Sequence, residues 1–437
     1  MRQEISGWGR YPRAECVVAA PRNQAELAAL MGKGPMIARG AGRAYGDAAL
    51  QPEMTISMCH LNRLVHFDEA TGYLEAEAGL MLADLLEVFV PRGWFPPVTP
   101  GTKFVTLGGM IAADVHGKNH HRGGSFGAHV DWIDLMGADG KVRRAKPGSA
   151  PFKRAVGGMG LGGVILRAGL HLKPIQTGWI RQETIVAPDL ERAMQALEEG
   201  DSAEYSVAWI DCLATGRSFG RSLIYLGEHA APEDLDWRHR DDPLRPPRRR
   251  LKTLPMDAPD WLLNKLSARA FNAAYYSSGQ RKEGEALIDW DTYFYPLDAV
   301  GSWNRVYGNR GFAQYQCAFP LQQSEAGLRA LLEAIAEAGQ GAFLSVLKRF
   351  GPGSGDGISF PIEGYTLAMD FPMSPQALLL MDRLDRIVAA HDGRLYLAKD
   401  SRMRPAMLRA GYGKAAEAFT AKRPTQFSSL LSERLGL

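Results

Sequence analysis

The segment Ala38-Arg39-Gly40-Ala41-Gly42-Arg43-Ala44-Tyr45-Gly46-Asp47 sets three glycines between two stretches that read as strands, and it limits the possible folds more than any other part of the chain. Pro35-Met36-Ile37-Ala38 is strand-like, and residues 50–58 hold Pro52 and then alternate apolar and polar side chains. In a nucleotide-binding βαβ unit the glycine loop runs straight into a helix whose N-terminus faces the pyrophosphate. No helix follows here, which excludes the ordinary dinucleotide fold. Glycines in a strand-to-strand loop can instead present backbone N–H groups to an anion as a nest; a purely structural turn is the alternative.

A second loop about sixty residues on, 100–112, combines Pro100-Gly101, the hydroxyls of Thr102 and Thr106, and the pair Gly108-Gly109. The polar run Asp114-Val115-His116-Gly117-Lys118-Asn119-His120-His121 follows. A third, 157–163, has five glycines, Gly158 and Gly163 among them, and leads into Val164-Ile165-Leu166. That many missing side chains implies close backbone approach. Together the loops can grip one long ligand.

The remaining composition bounds the answer. At 437 residues, 46% hydrophobic and 23% charged, the chain can bury two cores of ordinary size. A net charge of +3 is too slight to point to nucleic acid. Cys16, Cys59, Cys212 and Cys317 are dispersed, with no CxxC, so a reducing compartment and no metal site are expected. His120 and His121 are adjacent and point different ways, which argues against a metal. The polar N-terminus predicts no signal peptide, and no apolar run is long enough to span a bilayer.

Helical spacing predicts helices at 24–31, 82–90 and 324–338, and 205–210 reads as a strand. All three glycine loops lie before residue 177, so one cofactor domain is expected over 1–177. A second domain begins at 178, and no internal repeat is evident. Residues 238–260 are proline-rich and carry Arg245, Arg248, Arg249, Arg250 and Lys252, ahead of amphipathic Trp261-Leu262-Leu263-Asn264-Lys265-Leu266. This reads as a mobile basic loop: either a solvated insertion or a lip for anionic lipid or a substrate phosphate.

The three loops in this order resemble the vanillyl-alcohol-oxidase (PCMH-type) FAD-binding fold. Further strings narrow the likeness: Gly7-Trp8-Gly9-Arg10, GRAYGD at 42–47, HGKNHH at 116–121, SFGAHV at 125–130, Trp303-Asn304-Arg305, Gln314-Tyr315-Gln316 and Tyr396-Leu397-Ala398-Lys399-Asp400-Ser401-Arg402. From residue 7 to the C-terminus the chain resembles the decaprenylphosphoryl-β-D-ribose 2'-oxidase family, the flavin subunit of the epimerase that makes an arabinose donor for cell walls. The resemblance implies an α+β, two-domain protein, with FAD-binding residues 1–177 and 394–437 and an antiparallel-sheet substrate domain over 178–393.

It also implies site residues. Non-covalent FAD would contact Arg39, Gly40, Ala41, Gly42, Arg43, Ala44, Tyr45, Gly46 and Asp47 of the first loop. From the second would come Pro100, Gly101, Thr106, Gly108, Gly109, His116, Gly117, Lys118 and Asn119. Gly158, Gly163, Ile165, Tyr396 and Lys399 complete the set. Non-covalent attachment follows from Arg43 and Ala44 standing where relatives of this fold tether flavin through histidine, with no cysteine between Gly101 and Asn119.

Oxidising a secondary alcohol with a flavin needs an ordered hydroxyl and positive charge at the flavin's pyrimidine edge. Lys399 is the candidate cation; a surface ion pair with Asp400 is the alternative. His116, titrating in the useful range, would orient a sugar hydroxyl, and Lys118 would meet a phosphate or flavin oxygen. Gln314 and Gln316 alternate on one strand face, lining the sugar pocket by resemblance or else forming a polar solvent-facing edge. With Tyr45, Thr366 and Ala368 they form the expected substrate set. Thr366 replaces an asparagine of the family pocket, and Ala368 stands where inhibitor-sensitive members carry a cysteine.

The function this implies is oxidation of the 2'-hydroxyl of a polyprenylphosphoryl ribose, coupled to a separate NAD(P)H-dependent keto-reductase. The expected location is cytoplasmic, with peripheral membrane contact and the periplasm as further options. An aldonolactone or alditol oxidase using a free sugar, and a flavin-bound structural subunit, are the competing readings.

Overall fold

The computed structural model describes residues 1–246, 251–259, 261–342, 344–355 and 357–437. Arg248, Arg249, Arg250 and Asp260 of the expected basic loop therefore lie outside the described residues. Among these residues, three sheets and two two-stranded ribbons organise the chain.

The first sheet orders Arg2–Ser6, Arg13–Ala19, Thr55–Ser57 and Ile37–Arg39. Its last two strands are parallel, with Ile37 opposite Thr55 and Arg39 opposite Ser57. The glycine segment joins these two strands without an intervening helix, as its flanks predict. The C-terminal chain returns to this sheet: Met36 N–H donates to the Gln426 carbonyl (2.9 Å) and Ser428 N–H to the Met36 carbonyl (3.0 Å).

The second sheet is antiparallel, in the order Leu64–Asp68, Tyr73–Glu77, Val164–His171, Val130–Met136, Val142–Ala145. The third glycine loop feeds directly into its central strand, Val164–His171. The second loop behaves differently and opens a helix, Leu107–Ala112, whose first turn is capped by Thr106 Oγ1 accepting from Gly109 N–H.

Eight antiparallel strands form the third sheet: Gly284–Asp289, Trp179–Ala187, Ser222–His229, Tyr205–Ile210, Ser345–Phe350, Gly364–Pro372, Phe312–Pro320 and Arg394–Leu395. Side chains alternate across a sheet, and here both faces are covered. Cys317, Leu367, Leu347 and Ala208 are register partners across four strands, and all are fully buried beneath Leu190–Glu199, Leu321–Ala338 and Pro375–Ala390. Burying each large side chain contributes roughly 1.5–3 kcal/mol, so this face anchors the sheet. Its reverse carries Gln316, Ala368, Val346 and Trp209, again register partners.

Helices depart from their sequence-predicted limits at the ends. The first stops at Ala28, and the second is Leu82–Phe89. The third begins at Leu321 because Ser324 donates back to the Pro320 carbonyl (3.0 Å) and does not cap the helix.

Candidate active site

Between the glycine loops and the reverse face of the large sheet lies a cavity of about 620 Å³. Close backbone approach shapes its loop side. A Cβ on Gly40 would lie 2.1 Å from Thr106 Oγ1, so the first and second loops touch where only glycine fits. A Cβ on Gly7 would meet the Gly46, Ala44 and Tyr45 carbonyls at 2.3–2.6 Å, and Trp8 N–H donates to the Ala44 carbonyl (2.8 Å). The Gly7-Trp8-Gly9 string is thus the floor of the first loop. Arg43 lies over the Trp8 ring at 3.7 Å. Trp303 meets Trp8 edge-on, and Asn304 Nδ2 donates to the Trp8 carbonyl (3.1 Å), which accounts for the Trp303-Asn304-Arg305 string.

The sheet side is polar at its centre. Gln316 Nε2 donates to His116 Nε2 (3.0 Å) and to Thr366 Oγ1 (3.2 Å), leaving Oε1 for the cavity. Thr366 in turn donates to the Cys317 carbonyl (2.8 Å). Gln314 donates to Asp370 Oδ1 (2.6 Å), directly opposite in register, and Tyr307 reaches Asp370 Oδ2 (3.3 Å). The Lys399 ammonium rests 3.8 Å from the Tyr45 ring centre. Tyr45 N–H donates to the Ala398 carbonyl (3.0 Å), tying the first loop to the 396–402 segment.

Three lysines, Lys118, Lys348 and Lys399, line this one cavity, and none of them has an ion pair within 4 Å among the described residues. Burial lowers Lys118 to about 7 and Lys348 to about 8, each below the usual lysine range. Burial also lowers Lys399, against the opposing pull of the Asp370 carboxylate. Asp370 is pushed up by its own burial. Three ammonium groups and the Arg43 guanidinium line the cavity and no carboxylate among the described residues does, which leaves it short of negative charge. An anionic occupant would supply it.

Most of the expected residues converge here. Gly40, Ala41, Gly42, Arg43, Ala44, Tyr45, Pro100, Gly101, Thr106, Gly108, Gly109, Gly163 and Ile165 line the cavity. So do His116, Lys118, Gln314, Gln316, Thr366, Ala368, Tyr396 and Lys399. Six expected cofactor residues sit behind the lining. Arg39 spends its guanidinium on the Ser6 carbonyl (2.7 Å), and Asp47 pairs with Arg434 (2.8 Å). Gly46 and Gly158 are glycines because the Asp400 and Arg154 carbonyls would lie 2.0 and 1.9 Å from a Cβ. Gly117 packs on Asn119 Oδ1 in the same way, and Asn119 Nδ2 donates to the Pro97 carbonyl (2.8 Å). These six shape the loops from outside.

One expectation changes and two of the alternatives drop out. His116 is held neutral, well below the ordinary histidine range, by burial among Phe350, Phe360 and Tyr396 with Lys348 nearby, so it does not titrate near neutrality. The Lys399–Asp400 ion pair does not form: Asp400 accepts from Arg434 (2.8 Å) and from the Arg402 and Met403 amides. Gln314 and Gln316 are not on a sheet edge, since their strand is flanked on both sides. Lys348 is the residue sequence reasoning missed. It pairs in register with Thr366 on the next strand, and its only local signal was an alternate position in the strand 345–350.

No group of three or more His, Cys, Asp or Glu side chains poised for a metal occurs among the described residues, and no described helix is long and apolar enough to cross a membrane.

A family profile described as an FAD binding domain matches residues 16–146. The chain is 36% identical to decaprenylphosphoryl-beta-D-ribose oxidase of Mycolicibacterium smegmatis, over 100% of this chain and 98% of that protein. It is also 36% identical to an uncharacterized protein of Streptomyces coelicolor, over 82% of this chain and all of that one. A glycolate oxidase subunit of Bacillus subtilis is 23% identical over 46% of this chain and 43% of its own length.

Proposed function

The chain belongs to the decaprenylphosphoryl-β-D-ribose oxidase family and is an FAD-dependent oxidoreductase; from that premise we propose that it oxidises the 2'-hydroxyl of a polyprenylphosphoryl ribose to the ketone. The observation that carries the reading is the excess of ammonium groups in the cavity, which suits the diphosphate of FAD and a phosphorylated sugar together. Full-length similarity to a ribose oxidase favours this over a free-sugar lactone oxidase.

The residues present fit FAD. Gly40, Gly42, Gly108 and Gly163 line the cavity with backbone alone, a side chain on any of them having no room against Thr106, Arg39, Ala78 or Leu135, and the first two loops meet at a contact that only glycine permits. The cofactor would be held non-covalently by 40–45, 100–109 and 163–165. When bound, FAD would take the hydrogen of the carbinol carbon as hydride, and the hydroxyl proton would leave to solvent through the cavity mouth. Lys399 places positive charge on that acceptor. Gln316, with both amide hydrogens engaged, offers Oε1 to the substrate hydroxyl, and neutral His116 fixes that amide. Lys118 and Lys348 would meet the phosphates of the cofactor and of the substrate. The Trp209, Val346 and Ala368 row gives the site an apolar wall.

In this reading residues 1–177 with 394–437 form the cofactor half and 178–393 the substrate half. A separate keto-reductase completes the epimerisation. The four free thiols suit the cytoplasmic face of the membrane. The test is anaerobic bleaching of the flavin by a panel of sugars. Lipid-linked ribose should bleach it and free pentoses or lactones should not; bleaching by free sugars alone would overturn the assignment.

A further inference from the structure

The helix Lys265–Gln280 and the segment before it differ from the rest of the surface. Fourteen large apolar side chains are exposed among the described residues, and eight of them fall between 251 and 300. Met256 (73%), Trp261 (74%) and Leu266 (78%) stand almost free in solvent. Large apolar groups concentrated in this way mark an interaction surface and not scattered exposure.

This surface is continuous with the cavity. Phe271 and Tyr275 line the cavity and are also exposed, and Tyr275 packs on Trp209 with ring centres 4.8 Å apart. Leu297 lines the cavity too, three residues before exposed Val300, which pairs in register with Lys252. The cavity therefore opens among these apolar groups.

Charge is concentrated in the same stretch. Between 238 and 269 the sequence has nine basic and four acidic residues, a net +5, although the whole chain is only +3. Arg238, Arg240, Arg245, Lys252, Lys265 and Arg269 are all exposed. Of the acidic residues, Asp257 is taken by Arg10 (2.6 Å), and Asp242 lies 3.9 Å from Arg245.

We infer that this lip docks on an anionic phospholipid bilayer, with the cavity mouth toward the lipid. Tryptophans among basic residues match the interfacial layer of such a membrane, where indole sits at the headgroups and Lys and Arg meet anionic phosphate. The inference rests on the lipid-linked substrate proposed above: a tail that stays in the bilayer needs the mouth held against it.

The experiment is co-sedimentation of the FAD-loaded protein with phosphatidylcholine vesicles, and with vesicles containing phosphatidylglycerol as about a quarter of the lipid. Binding is expected to the second kind alone, and to weaken about tenfold or more in high salt. Trp261→Ser with Leu266→Ser, and separately Lys252→Glu with Arg269→Glu, should each weaken it about tenfold, with an unchanged flavin spectrum and melting temperature. Protein left in the supernatant with both vesicles, as expected if a protein partner covers the lip, overturns the inference. So does binding indifferent to both pairs of substitutions. Bleaching by lipid-linked ribose in detergent micelles is read without vesicles. Bleaching without vesicle binding removes the docking surface and leaves the substrate reading; vesicle binding without bleaching does the reverse.

Discussion

Lys399 and Asp370 define the chemistry at the level of single side chains, because a buried ammonium keeps its charge only if something compensates. Losing a preorganised cation beside the electron acceptor costs roughly 3 kcal/mol, on the order of a hundredfold in rate. Lys399→Ala should therefore retain FAD and yet reduce it at least about a hundredfold more slowly in anaerobic rapid mixing; an unchanged rate would take the lysine out of the mechanism. Asp370 opposes the burial that lowers Lys399, so Asp370→Asn, nearly isosteric beside Gln314 and Tyr307, should lower Lys399 further. Reduction needs the charged lysine and falls as pH rises through its pKa, so the falling limb of the rate–pH profile should move to lower pH, by about one to three units. A limb that stays in place would mean the two groups are not linked. Lys399 was legible in its motif. Asp370 was not recognised as its counter-charge, because the two come within electrostatic reach only when the 396–402 segment is laid beside the large sheet.

At the scale of elements, the contact between the first two glycine loops decides whether a long cofactor can be held. A side chain at Gly40 would strike Thr106, which also caps the helix Leu107–Ala112. Gly40→Val should part the loops and weaken FAD binding about tenfold or more, which is about 1.4 kcal/mol, while the melting temperature of the FAD-free protein changes little. Flavin fluorescence titration measures the first, and acid precipitation should release all the flavin from either form. The glycine runs announced these loops, because missing side chains show in any linear reading. Gln314 and Gln316 were legible for a similar reason: alternation alone put them on one face. Of what lies across from them only Ala368 was expected, by resemblance; Val346, Lys348 and Asp370 were not, because pairing register is a property of the assembled sheet.

For the whole molecule, three ammonium groups enclosed together make the FAD-free protein sensitive to pH. Lys118 and Lys348 have folded pKa values of about 7 and 8, below the unfolded value near 10.4. The unfolded chain thus binds more protons at pH 9, and stability is lost as pH falls from about 10 toward these values, by at most about 1.4 kcal/mol per unit for each lysine. The FAD-free protein should melt higher at pH 9 than at pH 7, and FAD should raise the melting temperature more at pH 7, where the lysines it meets are charged. Equal gains at both pH values would show that these lysines do not face the cofactor. Residue order alone determined the three backbone-exposing loops, the absence of a helix after the first, the alternating faces and the family, because each is written in local spacing or in motifs that survive as strings. Tertiary structure decided which expected residues line the cavity and which, like Arg39 and Asp47, hold it from behind. It also decided that His116 is neutral, that Lys348 belongs to the site and that Asp370 faces Lys399, because burial, register and charge balance arise only when distant segments are packed together.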